Sequence, residues 1–213
     1  GTPCPKKVCL LGWSQGSMVI DQELHNLETD PAAPPVDKLT YLLCADPIRP
    51  GGVFHHFFAP GDLFLDYTVI RPPDTRYSGD YVFWQYDGGG DWPDGIGTAG
   101  SIFASITSAL NPIALLNAIT GLMCIHGGLS AAVLPPWGPW PSGGSLSSAE
   151  LINTTKFSSG GTCNSYMLPT SPTPLCFPLT NTPLAPLKGI LDRIGMAIIE
   201  PMYNRAGRSW SAV

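Results

Sequence analysis

The chain has 213 residues and a net charge of −5; 44% of its residues are hydrophobic and only 13% are charged, against about 25% charged in an average soluble domain. Its length and apolar content are enough for one domain with a sizeable core and exclude a disordered chain, although 24 glycines and 23 prolines make it rich in loops. No basic cluster is present, which excludes nucleic acid as an expected partner.

Taken in order, Thr2 to Lys7 is a polar lead-in, and Val8 to Leu11 is a short apolar run of the buried-strand type. It leads into Gly12-Trp13-Ser14-Gln15-Gly16, after which Gln15 to Leu27 has the spacing of an amphipathic helix. Strand, sharp turn and helix are the setting in which Gly-x-Ser-x-Gly forms a nucleophile elbow. The turn lifts the Ser14 hydroxyl clear of the sheet, at a helix N-terminus whose backbone N–H groups, that of Gln15 first, can stabilise an oxyanion. Side chains at Gly12 and Gly16 are expected to collide with the crowded strand and helix. Asp30 to Pro35, with three prolines, ends the helix.

Leu39 to Ala45 is the second strand, and its continuous apolar run suits a parallel sheet covered on both faces. Asp46 to Gly52 follows as a loop at the sheet edge where open α/β folds bind ligands. Val53 to Phe58 is short and aromatic, and Leu63 to Ile70 has room for a small hairpin. Tyr81 to Tyr86 is the third clear strand and runs into Asp87-Gly88-Gly89-Gly90-Asp91. Ile102 to Met123 reads as two helical pieces broken near Asn111-Pro112, with too many polar positions for a membrane span. His126 follows, flanked by Gly127 and Gly128. Residues 134–183 are dominated by Pro, Gly, Ser and Thr and read as a long loop or lid insertion with room for a short strand. Pro186 to Ile199 has helical spacing, with an apolar stripe expected to pack in the core. The fold class is therefore α/β with a mostly parallel sheet and flanking helices, in a single domain: residues 1–133 as catalytic core, 134–183 as insertion, 184–213 as C-terminal helix and tail.

The six cysteines include no Cys-x-x-Cys pair, and histidines are few, so neither a metal site nor a cofactor is expected. Cys163 and Cys176 flank a Ser/Thr/Pro-rich loop that a disulfide could close, which would point to an oxidising compartment. Cys9 and Cys44 lie in apolar runs, as buried thiols do. No secretory signal is visible in the chain.

A serine hydroxyl needs a base, and the base needs an orienting carboxylate. In α/β-hydrolases these follow one another in the order Ser, acid, His. After Ser14, Asp87 and Asp91 follow the third strand, and His126 stands last. Asp87 ends the strand directly, whereas Asp91 follows three glycines that could swing it toward a histidine. Asp94 reads as a helix cap, and Asp46 follows the previous strand, a position some triads use instead. His25 falls on a polar helix face, and His55 and His56 precede the candidate acids, so His126 is the expected base.

Four segments then resemble one family, the PE-PPE domain, a serine α/β-hydrolase module of mycobacterial proteins: Gly12 to Ser17, Leu42 to Gly52, Gln85 to Pro93, and Ile125 to Gly127. The resemblance covers residues 8–130 and, more loosely, Glu200 to Arg205. The Ser-Gln-Gly elbow also looks like that of cutinases and phage lysin B esterases. The resemblance implies Ser14 as nucleophile, Asp91 as acid and His126 as base. It implies hydrolysis of carboxylic esters or acyl transfer among envelope lipids, at a secreted or cell-envelope location. The expected partner is an ester or lipid substrate, with association at the cell-envelope surface. It also implies that strands carrying half of the oxyanion hole precede this elbow, so the domain is expected to be N-terminally truncated. The alternative outside enzymology is a catalytically inactive, hydrolase-like binding module.

Overall fold

The computed structural model describes residues 7–94, 112–126, 149–170, 173–174, 176 and 182–203. Five strands form one sheet: β1 (Val8–Trp13), β2 (Leu39–Cys44), β5 (Ser78–Trp84), β7 (Thr162–Leu168) and β6 (Glu150–Lys156), in that spatial order. β1, β2, β5 and β7 are mutually parallel, and β6 pairs antiparallel with β7. A separate two-stranded hairpin joins β3 (Leu63–Phe64) to β4 (Tyr67–Thr68), inside the stretch read as a hairpin. The helices are α1 (Gln15–Thr29), α2 (Val53–Phe57), α3 (Pro112–Cys124) and α4 (Lys188–Ile199). No described helix is long and apolar enough to cross a membrane.

The parallel pairing follows from the apolar runs. Leu39, Tyr41 and Leu43 of β2 alternate inward and pack with Leu24 and Leu27 of α1, Tyr77, Tyr81 and Cys163. A second cluster, Cys44, Val82 and Leu168, lies toward the C-terminal ends of the same strands. Parallel strands bring those ends to one edge of the sheet. Ser14 after β1, Asp46 after β2 and Asp87 after β5 therefore meet at one rim.

Several segments depart from the sequence reading. Val8 and Leu11 are 53% and 70% exposed, because β1 is an edge strand of the described sheet and pairs only with β2. Cys9 is exposed with it, whereas Cys44 is buried as expected. Part of the stretch read as a lid belongs to the central sheet: β6 and β7 are two seven-residue strands, and β7, with buried residues, sits between β5 and the more exposed edge strand β6. Polar residues hid them: Asn164 of β7 donates to Asp80 Oδ1 at 2.9 Å, and Ser165 is buried beside Tyr81 of β5.

The Cys163–Cys176 disulfide is not formed. Both thiols are free and buried, and Cys163 is tied up in the core beside Tyr41 on β2. The stripe on α4 also fails to bury as expected: Ile190, Leu191, Ile194 and Ile198 are all 38% exposed or more. The first of the two helical pieces read between Ile102 and Met123 lies outside the described residues; the second is α3.

Candidate active site

Ser14 sits in the turn between β1 and α1 at φ 49° and ψ −117°. A non-glycine residue rarely adopts this conformation, and such strain collects where a side chain must be held in a fixed place. Two contacts of the elbow hold it there. The Ser14 N–H donates to Cys44 O at 2.9 Å and the Ser17 hydroxyl to the same carbonyl at 3.0 Å, so the end of β2 supports the turn from behind. Gly12 is needed for space, since a Cβ there would stand 2.7 Å from Ser17 Cα. Gly16 is not: a Cβ there meets nothing within 4 Å, which corrects the expectation that both glycines relieve crowding.

His126 reaches Ser14 from the far end of α3. The buried face of that helix is made of small residues, Ala114, Ala118 and Gly121 with Asn117. The spacing lets the helix press against the loop after β5: a Cβ at Gly121 would stand 1.8 Å from Tyr86 O, and one at Gly88 would stand 2.0 Å from Ala118 O. The chain then turns tightly, with Ile125 N and His126 N both donating to Gly121 O. His126 Nε2 is left 2.6 Å from Ser14 Oγ.

The carboxylate on the other side of the ring belongs to Asp87. Its Oδ1 lies 2.7 Å from His126 Nδ1 and also accepts the Gly89 N–H at 2.9 Å. A carboxylate only accepts, so the proton of the neutral ring sits on Nδ1 and Nε2 is free to accept from the serine hydroxyl. Burial is the largest single influence on His126 and lowers its pKa; the hydrogen bond and charge of Asp87 raise it, and together they leave it above the ordinary value.

Asp91, the acid implied by the family resemblance, does not reach His126. Its Oδ2 accepts the Tyr86 N–H at 2.9 Å, so its carboxylate closes the turn that carries Asp87. The three glycines curl this turn back on itself instead of extending it. Gly89 is where the ring packs, for a Cβ there would lie 2.1 Å from His126 Nδ1. Asp46 is also not at the imidazole; its Oδ1 accepts the Ile48 N–H. Among the other histidines, His25 is exposed on α1, while His55 and His56 lie on α2 with His56 Nε2 4.0 Å from Asp94. Gln15 is the first residue of α1, so its N–H has no intrahelical acceptor, as the oxyanion reading needs. The small-residue face of α3 went unread in the sequence, although Ala114, Ala118 and Gly121 recur at helical spacing.

The PE-PPE domain model matches residues 2–203. The chain belongs to the PE-PPE domain family. Among similar proteins of Mycobacterium tuberculosis, diacyltrehalose acyltransferase Chp2 is 31% identical over 207 residues, covering 92% of this chain and 50% of that protein. SL1278 acyltransferase Chp1 is 30% identical over 203 residues, covering 93% of this chain and 43% of that protein. Esterase PE16 is 32% identical over 216 residues, covering 94% of this chain and 34% of that protein. The chain thus spans half or less of the length of these relatives. No solved structure matches it.

Proposed function

We propose that this PE-PPE domain is a serine-dependent carboxylic-ester hydrolase that works through Ser14, His126 and Asp87. The observation that carries the reading is the unbroken relay of 2.6 Å from Ser14 Oγ to His126 Nε2 and 2.7 Å from His126 Nδ1 to Asp87 Oδ1. Ser14 Oγ attacks the ester carbonyl carbon as its proton passes to His126 Nε2, and Asp87 stabilises the imidazolium that results. The Gln15 N–H, at the N-terminus of α1, lies where it can donate to the oxyanion. The tetrahedral intermediate collapses, the acyl–oxygen bond to the alcohol breaks, and His126 returns the proton to the departing oxygen. Water, deprotonated by His126, then cleaves the acyl-enzyme and restores Ser14.

A second reading replaces that water with a lipid or sugar hydroxyl and makes the chain an acyltransferase. Two of the relatives carry acyltransferase names and one is named an esterase, which supports chemistry on acyl esters in either case. The test is a fluorophosphonate probe and a short-chain ester assay on the wild type, Ser14→Ala and Ser17→Ala. Label and turnover lost in Ser14→Ala alone are expected; no label on the wild type would favour an inactive binding module. Turnover with and without an added alcohol, followed by analysis of products, separates hydrolysis from transfer.

A further inference from the structure

Asp21 is on the buried face of α1 with Ser17, Met18 and Leu24, seven residues after the nucleophile, and it is fully buried. Asp46, also fully buried, begins the loop after β2. Each has one oxygen engaged elsewhere: Asp21 Oδ1 accepts the Tyr81 hydroxyl at 2.7 Å, and Asp46 Oδ1 accepts the Ile48 N–H at 3.1 Å. The other oxygens, Asp21 Oδ2 and Asp46 Oδ2, are buried with no N–H or O–H donor, and the two carboxyls lie against each other, each perturbing the other. Two carboxylates cannot make that contact unless a proton lies between them. Burial raises both carboxyls above the usual range; the Ile48 N–H and the nearby Arg49 guanidinium favour the ionised form of Asp46, which leaves Asp21 as the proton donor of the pair.

The loop that Asp46 opens is bound to the turn that carries Asp87. Arg49, stacked 3.7 Å over the Phe83 ring, donates through Nη1 to Gly90 O. Val53 N donates to Gly89 O at 2.9 Å, and Trp92 N to Gly51 O at 2.7 Å. A Cβ at Gly52 would stand 2.3 Å from Pro47 O, so the loop is folded tightly and has little room to give. One path of direct contacts thus runs from the nucleophile helix through Asp21 and Asp46 to the acid turn.

We propose that Asp21 and Asp46 are positioning residues: their shared proton joins α1 to the loop that holds the Asp87 turn, and so fixes Ser14 in register with His126. The proposal rests on the serine-hydrolase reading above. Charged and titratable neighbours of the pair are Tyr81 on β5, Tyr41 on β2, Tyr67 on β4, Cys163 on β7 and Arg49 in the loop. Arg49 favours the ionised form of Asp46, and the tyrosine hydroxyl of Tyr81 favours that of Asp21. The joint therefore carries one negative charge and one neutral donor.

An amide can replace the neutral donor. Asp21→Asn keeps an oxygen for the Tyr81 hydroxyl and offers an N–H to Asp46, whereas Asp21→Ala leaves Asp46 without its donor. Steady-state ester hydrolysis with the full chain should give Asp21→Asn a kcat within about 3-fold of wild type, and Asp21→Ala a kcat at least about 10-fold lower with KM within about 3-fold, as expected for misplaced catalytic groups. Ser14→Ala is run beside them. If the wild type turns over and Ser14→Ala does not, the hydrolase reading stands, and only the Asp21 variants bear on the joint. Asp21→Ala with wild-type kcat, or an equal loss in Asp21→Asn and Asp21→Ala, overturns the proposal. If Asp21→Ala does not fold, Tyr81→Phe replaces it: a kcat drop of about 3-fold or more with KM unchanged supports the joint, and an unchanged kcat overturns it.

Discussion

At the scale of single residues, the candidate site depends on which of two nearby aspartates faces the imidazole. Asp87→Asn should lower kcat/KM by about 10³–10⁴-fold, the usual cost of removing the orienting carboxylate of such a relay. Asp91→Asn keeps an oxygen that can accept the Tyr86 N–H, so it should lower kcat less than about 10-fold and show chiefly as a loss of thermal stability. Parallel rate and melting measurements on the two variants check this. The pH profile follows the same geometry. His126 must be neutral to accept the serine proton, and Asp87 holds its pKa above the ordinary value, so the acid limb of kcat/KM should lie above about 6.5. In Asp87→Asn the raising influences go and burial remains, so the limb should shift to lower pH. The sign for stability agrees: the ion pair contributes fully below the ordinary histidine pKa and is lost as pH rises through the raised one.

Glycines divide the same way. Gly89→Ala puts a methyl on the His126 ring and should cost at least about 100-fold in kcat, through displacement of the base. Gly16→Ala meets open space inside a helix and should leave turnover within about 3-fold, with stability equal or up to about 1 kcal/mol greater. Assay and thermal melt of the two variants decide the point.

At the scale of elements, the buried Asp21–Asp46 pair couples folding to pH. The folded state retains a proton that both carboxyls lose when exposed on unfolding, because burial raises them in the native chain. A raised carboxyl contributes its stability below the unfolded carboxylate pKa, and that contribution declines as pH rises toward the folded value. The slope is about 1.4 kcal/mol per pH unit while one proton is held. Asp21→Asn has no such proton to keep. Its melting temperature relative to wild type should therefore rise steadily between about pH 5 and about pH 7, where a flat difference would show that no proton is shared. The sequence reading singled out Asp46 but not Asp21, and it could not pair them, because nothing along the chain joins residue 21 to residue 46 except the packing of α1 on β2 and the loop beyond it.

At the scale of the molecule, the described sheet is held by apolar packing, with the cysteines among the described residues as free thiols. Cys163 is buried among Leu39, Tyr41 and Tyr81, and Cys176 is also a free thiol. A reducing agent should leave the melting temperature within about 1 °C, whereas removal of a true disulfide typically costs 2–5 kcal/mol. The exposed apolar faces of α3 and α4, with Met123 78% exposed and Ile190 61%, break the expectation that a helical stripe of leucine and isoleucine marks core. Periodicity reports that a face is apolar and does not report what covers it.

What the chain of letters determined by itself was local: an elbow of strand, turn and helix around Ser14, apolar strands at Leu39 and Tyr81, a last histidine at position 126, and the family to which these belong. These features are fixed by spacing within a few residues, which is where steric and periodic rules apply. Tertiary structure alone decided that Asp87 and not Asp91 faces the imidazole, that β7 enters the sheet, and that Asp21 meets Asp46. Each of these depends on which distant surfaces pack together, and a side chain's partner across 39 or 112 residues is set by that packing rather than by its neighbours in the chain.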